Sequence, residues 1–400
     1  GHGTKPQSHL YQAMDGVTAS FELEIGVADI DGWYAEREGR EPIHYGAAIG
    51  FVPVRMQVKN DDGEFLPKGA GAKGEVNDQE LSQIKRHIAH GLQRGAVAVG
   101  MGIVYTPAAT EWELLEIFRI AAAYDAFTHV HVRGASSAAG AGADRERGLL
   151  EVIALSAVSG AGVHIAHIQS SGQASTPRML EIIAQARARG VDITTECYPY
   201  TAGATRIESI LFDTWYDKPE AEYQKLQWAA SGERLTARTF RKYREQGGLV
   251  LIHANTEEIV TAAVASPLTM IASDGFDVAE GQGHPRSAGT FSRVLGRYVR
   301  ERGVIGLMEG LRKMTLMPAQ RLEARVPSMR KKGRVRVGAD ADLTLFDPGR
   351  ILDMATFEHP AQFSSGVRYV FVNGETIVDN GVPRRDRFPG RPIRAPIRTN

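Results

Sequence analysis

What most limits the architecture open to this chain is a repeated alternation of short apolar runs with longer stretches of helical periodicity. Runs rich in Val, Ile and Ala, bounded by Gly and Asp, read as buried strands at 16–26, 47–58, 96–104, 127–134, 163–172, 191–200, 249–253 and 270–274. With a strand implied ahead of His2 they come to nine, close to the eight of a (β/α)8 barrel. Between them lie helix patterns. The clearest spans 77–94, where Asn77 occupies an N-cap position, Glu80 completes a capping box, and Leu81, Ile84, Ile88 and Leu92 share one face. His87 and His90 on that helix sit among charged neighbours and are expected at the surface. A doubly wound open sheet would alternate in the same way, but no Gly-rich phosphate fingerprint follows any strand. Beyond Leu295 the pattern changes to a helical stretch and then short strands at 333–347 and 367–374, a small β appendage.

Composition narrows the partners. The 47 basic and 47 acidic residues balance to a formal charge of zero, so no net field draws the chain to nucleic acid or to an anionic membrane. The sequence has no 18-residue apolar segment, so no membrane span is expected. A single cysteine, Cys197, leaves no internal disulfide framework and fits a reducing, cytoplasmic setting.

The chemistry is carried by where the histidines fall. Five of the twelve, His129, His131, His164, His167 and His253, lie on predicted buried strands, and His131 and His167 sit just before loops on one rim of the predicted barrel. A buried imidazole needs a hydrogen-bond partner or a metal, so several on one rim imply a shared task. Period-two alternation places Glu22 and Glu24 together on one face of the strand at 16–26, where a cation would relieve their repulsion; a solvated edge strand is the competing reading. The run Met270-Ile-Ala-Ser-Asp274-Gly275 delivers a carboxylate at the tip of a buried strand. Imidazole and carboxylate donors favour Zn²⁺ or a similar divalent ion, one or two per chain, which would activate water. Asp274 suits the task of taking that water's proton and passing it to a leaving nitrogen. A Ser-His-Asp hydrolase is disfavoured, because no Gly-x-Ser-x-Gly elbow occurs and Cys197 lies within a strand.

These residues stand in a recognisable order: Asp15-Gly-Val-Thr18, Gly102 to Pro107, His131-Val-Arg133, His167 with Gly172, Tyr198-Pro-Tyr200-Thr-Ala-Gly203, Ser273-Asp-Gly275, His284-Pro-Arg286 through Arg297-Tyr298, and Gly338-Ala-Asp-Ala-Asp342-Leu with Phe346-Asp-Pro348. In that order and spacing the chain resembles the amidohydrolase superfamily and, within it, the D-aminoacylase (N-acyl-D-amino-acid deacylase) family. The resemblance implies an α/β fold, a TIM-type (β/α)8 barrel of the metal-dependent hydrolase kind with a small β-sandwich domain. The expected division is 1–322 for the catalytic barrel, its first strand truncated, and 323–400 for the C-terminal part of the sandwich. It further implies that His2 is the second histidine of a strand-1 His-x-His pair, that His167 is a metal ligand, that Asp274 is the metal-linked acid/base, and that His284 and Arg286 border the substrate pocket. The chain departs from the family pattern in three ways. The first histidine of the pair is absent, Glu22-Leu-Glu24 stands where a metal-binding cysteine is usual, and His167 is not followed by the usual lysine.

The resulting expectation is a zinc-type amidohydrolase that deacylates an N-acyl amino acid or a related amide. His2, Glu24, His131, His167 and Asp274 would hold metal, and Arg133, Tyr198, His253, His284 and Arg286 would hold substrate. A cyclic-amide hydrolase of the dihydroorotase or hydantoinase type, a deaminase, and an inert binding barrel are the alternatives. A homo-oligomer is compatible with all of them.

Overall fold

The computed structural model describes residues 6–134, 142–279 and 282–398. Its centre is a curled sheet of seven parallel strands in the order β1 (Ala19–Val27), β2 (His44–Gly50), β3 (Val99–Met101), β4 (Thr128–Val130), β5 (Val163–Ile165), β6 (Ile193–Cys197) and β10 (Thr269–Ile271). β2, β3, β4, β5 and β10 are buried along their whole length because both faces are covered, which is the rule for parallel sheets. One face packs Ile49, Val99, Val130, Val163, Ile165, Ile193 and Ile271 against helix residues such as Ile84, Leu114, Leu149 and Ile183. The other face is the barrel interior. Helix 78–93 forms as its sequence implies: Glu80 N–H donates to Asn77 Oδ1 at 2.9 Å, and Asn77 N–H donates to Glu80 Oε2 at 2.9 Å. His87 and His90 are both exposed. The eighth strand, expected ahead of His2, lies outside the described residues, as does His2 itself.

The structure departs from the expected strands in several places. The run at 163–172 is strand only over Val163–Ile165, and Ile168–Gly172 is a helix. At 47–58 the strand ends at Gly50, and Phe51–Val58 is a helix. That helix is buried nearly all round, with Arg55 fully covered and its Nε donating to Glu113 Oε1 at 2.8 Å, so its apolar run mimics a buried strand. The run at 249–253 belongs to no barrel strand. Leu249–Ile252 (β9) pairs antiparallel with Gly203–Arg206 (β7) and Leu226–Trp228 (β8) in a separate sheet inserted between β6 and β10. This insertion has its own core, with Phe212, Trp215, Tyr223, Trp228, Phe240 and Tyr243 as its aromatic centre. At 333–347 only Leu343–Phe346 (β11) is a strand, and Val335 and Val337 are exposed.

With Val367–Val372 (β12), Glu375–Asp379 (β13) and Val382–Pro383 (β14), β11 makes a four-stranded antiparallel sheet. It packs on Ala13, Met14, Ile43, Leu295 and Ile351. A polar clamp at Asp342 ties it to the barrel. The carboxylate accepts from His44 Nε2 at 2.9 Å and from Asn373 N–H at 2.8 Å, and pairs with Lys332 Nζ.

Candidate active site

Glu24 reaches the interior through an irregularity in β1. Glu22 pairs with Ala47 and Val27 with Ile49, so β1 advances five residues while β2 advances two. The surplus is a bulge, and bulges re-aim side chains. Gly26 permits it: its φ is +69°, and a Cβ there would lie 2.7 Å from Gly50 Cα. β1 is an edge strand of the sheet among the described residues, but Glu22 and Glu24 are both buried, so its carboxylate face is not solvated. Glu22 contributes to the field at Arg37, whereas Glu24 meets the histidines.

His131 follows β4 and His167 follows β5, each just past its strand's C-terminal end. Glu24 Oε1 lies 2.9 Å from His131 Nδ1, and Glu24 Oε2 lies 2.9 Å from His167 Nε2. The two rings are edge to face at 4.4 Å between centroids, and Ser171 Oγ sits 3.3 Å from His167 Nδ1. Burial alone would raise the Glu24 carboxyl, but the imidazoles of His167 and His131 outweigh it and hold the group well below its usual range. Burial pushes His131 down against the pull of Glu24. His167 is likewise penalised by burial, yet Glu24 and Asp274 together carry it upward. One ligand atom from each of Glu24, His131 and His167 falls within a 4.8 Å cluster, so this buried, convergent imidazole and carboxylate set fits a divalent cation.

Asp274 stands beside this cluster, three residues past the end of β10, at φ +47°. Arg286 Nη1 lies 2.7 Å from its Oδ2. The Arg286 guanidinium is buried and lies 4.6 Å from the Tyr198 ring centroid and 5.4 Å from that of Phe276. Glu24, His131, His167, Tyr198, Asp274 and Arg286 line one small pocket. Beyond Tyr105, Ser170 and Thr205 it adjoins a cavity of about 400 Å³ walled in part by β7 and the end of β9 from the insertion.

The remaining expected substrate residues fall elsewhere. Arg133 turns toward the helix side, with Nη1 donating to Glu151 Oε1 at 3.1 Å and Nη2 to the Ala109 carbonyl, and it lines neither cavity. His284 is fully buried with both ring nitrogens in use: Nε2–H donates to Ala202 O at 2.9 Å and Nδ1 accepts from Arg286 N–H at 3.0 Å. It therefore positions the start of the Arg286 helix. His253 lines the larger cavity, paired with Gln227 Oε1 at 2.8 Å, and burial pushes it down to about 4. Tyr105 and Thr205, hydroxyl to hydroxyl at 3.1 Å, form a rim that residue-type reasoning passed over. The visible signal was Tyr105 at the end of a predicted strand.

The family model described as the amidohydrolase family matches residues 68–378. The chain belongs to the amidohydrolase family. Among curated relatives, N-acyl-D-glutamate deacylase of Alcaligenes xylosoxydans xylosoxydans is 29% identical over 381 residues, spanning 92% of this amidohydrolase and 73% of that protein. D-aminoacylase of the same organism is 29% identical over 315 residues, 76% of this chain and 62% of that one. Among solved structures, N-acyl-D-glutamate deacylase from Bordetella bronchiseptica, complexed with zinc and a phosphonate inhibitor, superposes with a TM-score of 0.80 at 22% identity, covering 98% of this chain and 85% of that chain. That likeness shows the shared fold. Among the described residues no helix is long and apolar enough to cross a membrane.

Proposed function

We propose that this amidohydrolase removes the acyl group from an N-acyl-D-amino acid, with residues 1–322 as the catalytic barrel and 323–400 as part of a sandwich. The observation that carries this reading is the pairing, in one pocket, of a cation-fitting cluster (Glu24, His131, His167) with a carboxylate bound to a buried arginine (Asp274, Arg286). Zinc, the ion in the related deacylase structure, would be held by Glu24, His131 and His167, where it supplies a Lewis acid and water of lowered pKa. Asp274, which lines the same pocket, would accept the proton of the attacking water and deliver it to the leaving amine. Arg286 matches the carboxylate that every N-acyl amino acid carries, and the Tyr198 ring holds the guanidinium in place. An arriving substrate carboxylate competes with Asp274 for Arg286, which releases Asp274 for proton transfer. The cavity beside Tyr105 and Thr205 has room for the acyl group.

The test is a screen of zinc-reconstituted protein on N-acyl-D- and N-acyl-L-amino acids and on their C-terminal amides. Hydrolysis of the D-acids is expected, with Arg286→Ala raising KM at least tenfold for the acids and leaving the amides little changed. Inactivity on every N-acyl amino acid, together with ring opening of a dihydropyrimidine or release of ammonia, would replace this reading with the cyclic-amide or deaminase one.

A further inference from the structure

Beneath the candidate active site lies a second cluster of metal-ligating side chains. The lattice of β4, β5 and β6 sets it directly: His129 pairs in register with His164, and His164 with Thr194. Alternate residues on these strands, Val130, Val163, Ile165 and Cys197, pack with the helices, so His129, His164, Thr194 and Glu196 face the barrel interior. Layers inside such barrels are usually filled by Val, Ile and Leu. Here one layer carries two imidazoles and a carboxylate instead.

The three groups converge. Glu196 Oε2 lies 3.1 Å from His164 Nε2, and Glu196 Oε1 lies 3.4 Å from His129 Nε2. Ligands on a tetrahedral zinc with bonds near 2 Å stand roughly 3.3 Å apart, and one donor atom from each of the three residues falls within a 4.8 Å cluster, close enough for one ion to reach all three. The imidazoles stack, 4.9 Å between centroids and 28° between planes, and both present Nε2 to the same carboxylate. His164 Nδ1 lies 2.7 Å from Thr194 Oγ1, the kind of outer contact that orients a ligating imidazole. Hydrogen bonding accounts for Nε2 of both rings but leaves His129 Nδ1 buried with no partner.

We propose that His129, His164 and Glu196 form a structural binding site for a divalent cation of the zinc type, which staples β4, β5 and β6 below the reaction pocket. His129 lies within β4 and His131 just past its end, so the two clusters sit at successive levels of the barrel. The two clusters have no residue in common, so the lower ion would share no protein ligand with the upper one. The lower site stands whether or not the chain is a deacylase.

The experiment counts metal in the full chain after chelation, reconstitution with zinc and desalting. A variant carrying Glu24→Gln, His131→Asn and His167→Asn is expected to retain about one equivalent, and adding Glu196→Gln is expected to remove it. Circular dichroism confirms the fold of each variant. Zinc below about a tenth of an equivalent in the folded triple variant overturns the proposal, as does zinc that persists after Glu196→Gln. Wild-type crystals grown with zinc give an answer independent of any substitution. An anomalous peak between His129, His164 and Glu196 supports the site, and its absence while the upper site is filled overturns it.

Discussion

Two residues of the candidate active site hold backbone conformations that side chains seldom adopt, His167 at φ +29° and Asp274 at φ +47°. Asp enters the left-handed region more readily than most residues, whereas His pays more; such positions cost about 1–3 kcal/mol each and cluster at functional sites. The strain is tied to placement: His167 lies two residues and Asp274 three residues past the end of a strand, where the chain turns off the barrel rim. Asp274→Asn preserves shape and the tolerance for this backbone while removing the proton acceptor. Turnover should therefore fall by about 10²–10⁴-fold with zinc content unchanged, as read by kcat and metal analysis on the same preparation. A variant with wild-type kcat would remove Asp274 from the chemistry. Residue types and spacing pointed to Asp274, His131 and His167, which follow strand ends, and the family resemblance added Arg286, which opens a helix. Arg133 was misleading for the same reason: it follows a strand end too, but only side-chain direction sends it to Glu151.

At the scale of elements, the helix Pro6–Met14 is joined to the helix Arg286–Arg293 and the stretch after it through Asp15. Its carboxyl accepts from Phe291 N–H at 2.8 Å, Ser292 N–H at 2.9 Å and Ser364 Oγ–H at 2.9 Å. Burial dominates these favourable bonds and raises the group from 3.8 to about 7. A carboxyl raised on folding binds its proton more tightly in the native state. Its contribution to stability is complete below about pH 4 and is lost as pH rises through 7, with a slope of up to roughly 1.4 kcal/mol per pH unit. The stability advantage of wild type over Asp15→Asn, from denaturant titrations at several pH values, should therefore shrink between pH 4 and 7 and level off above. An advantage that grows over that interval would contradict the raised value. Elements also show where period-two reading of a sequence stops. Alternation grouped Glu22 with Glu24, and the bulge in β1 then separated their surroundings, a difference set by Gly26 approaching Gly50 and by no local propensity.

Across the whole molecule, barrel and small sheet are held by apolar packing and by the Asp342 clamp. Removing that buried carboxylate strands His44 and Lys332. Asp342→Ala should cost on the order of 3 kcal/mol in denaturant unfolding, with the active-site zinc content retained. A change below about 0.5 kcal/mol, the range of ordinary surface substitutions, would show that apolar packing alone joins the two sheets. The sequence by itself determined the alternation of strand and helix, the capped helix at 78–93, and the rim that carries His131, His167 and Asp274, because these follow from local periodicity and from which residues end a strand. Only the tertiary structure decided that Leu249–Ile252 leaves the barrel for an inserted sheet, that Phe51–Val58 is a helix, and that His129, His164 and Glu196 meet. A short buried apolar run carries no mark of its strand partners, and three side chains far apart in sequence converge only once the parallel register of β4, β5 and β6 is set.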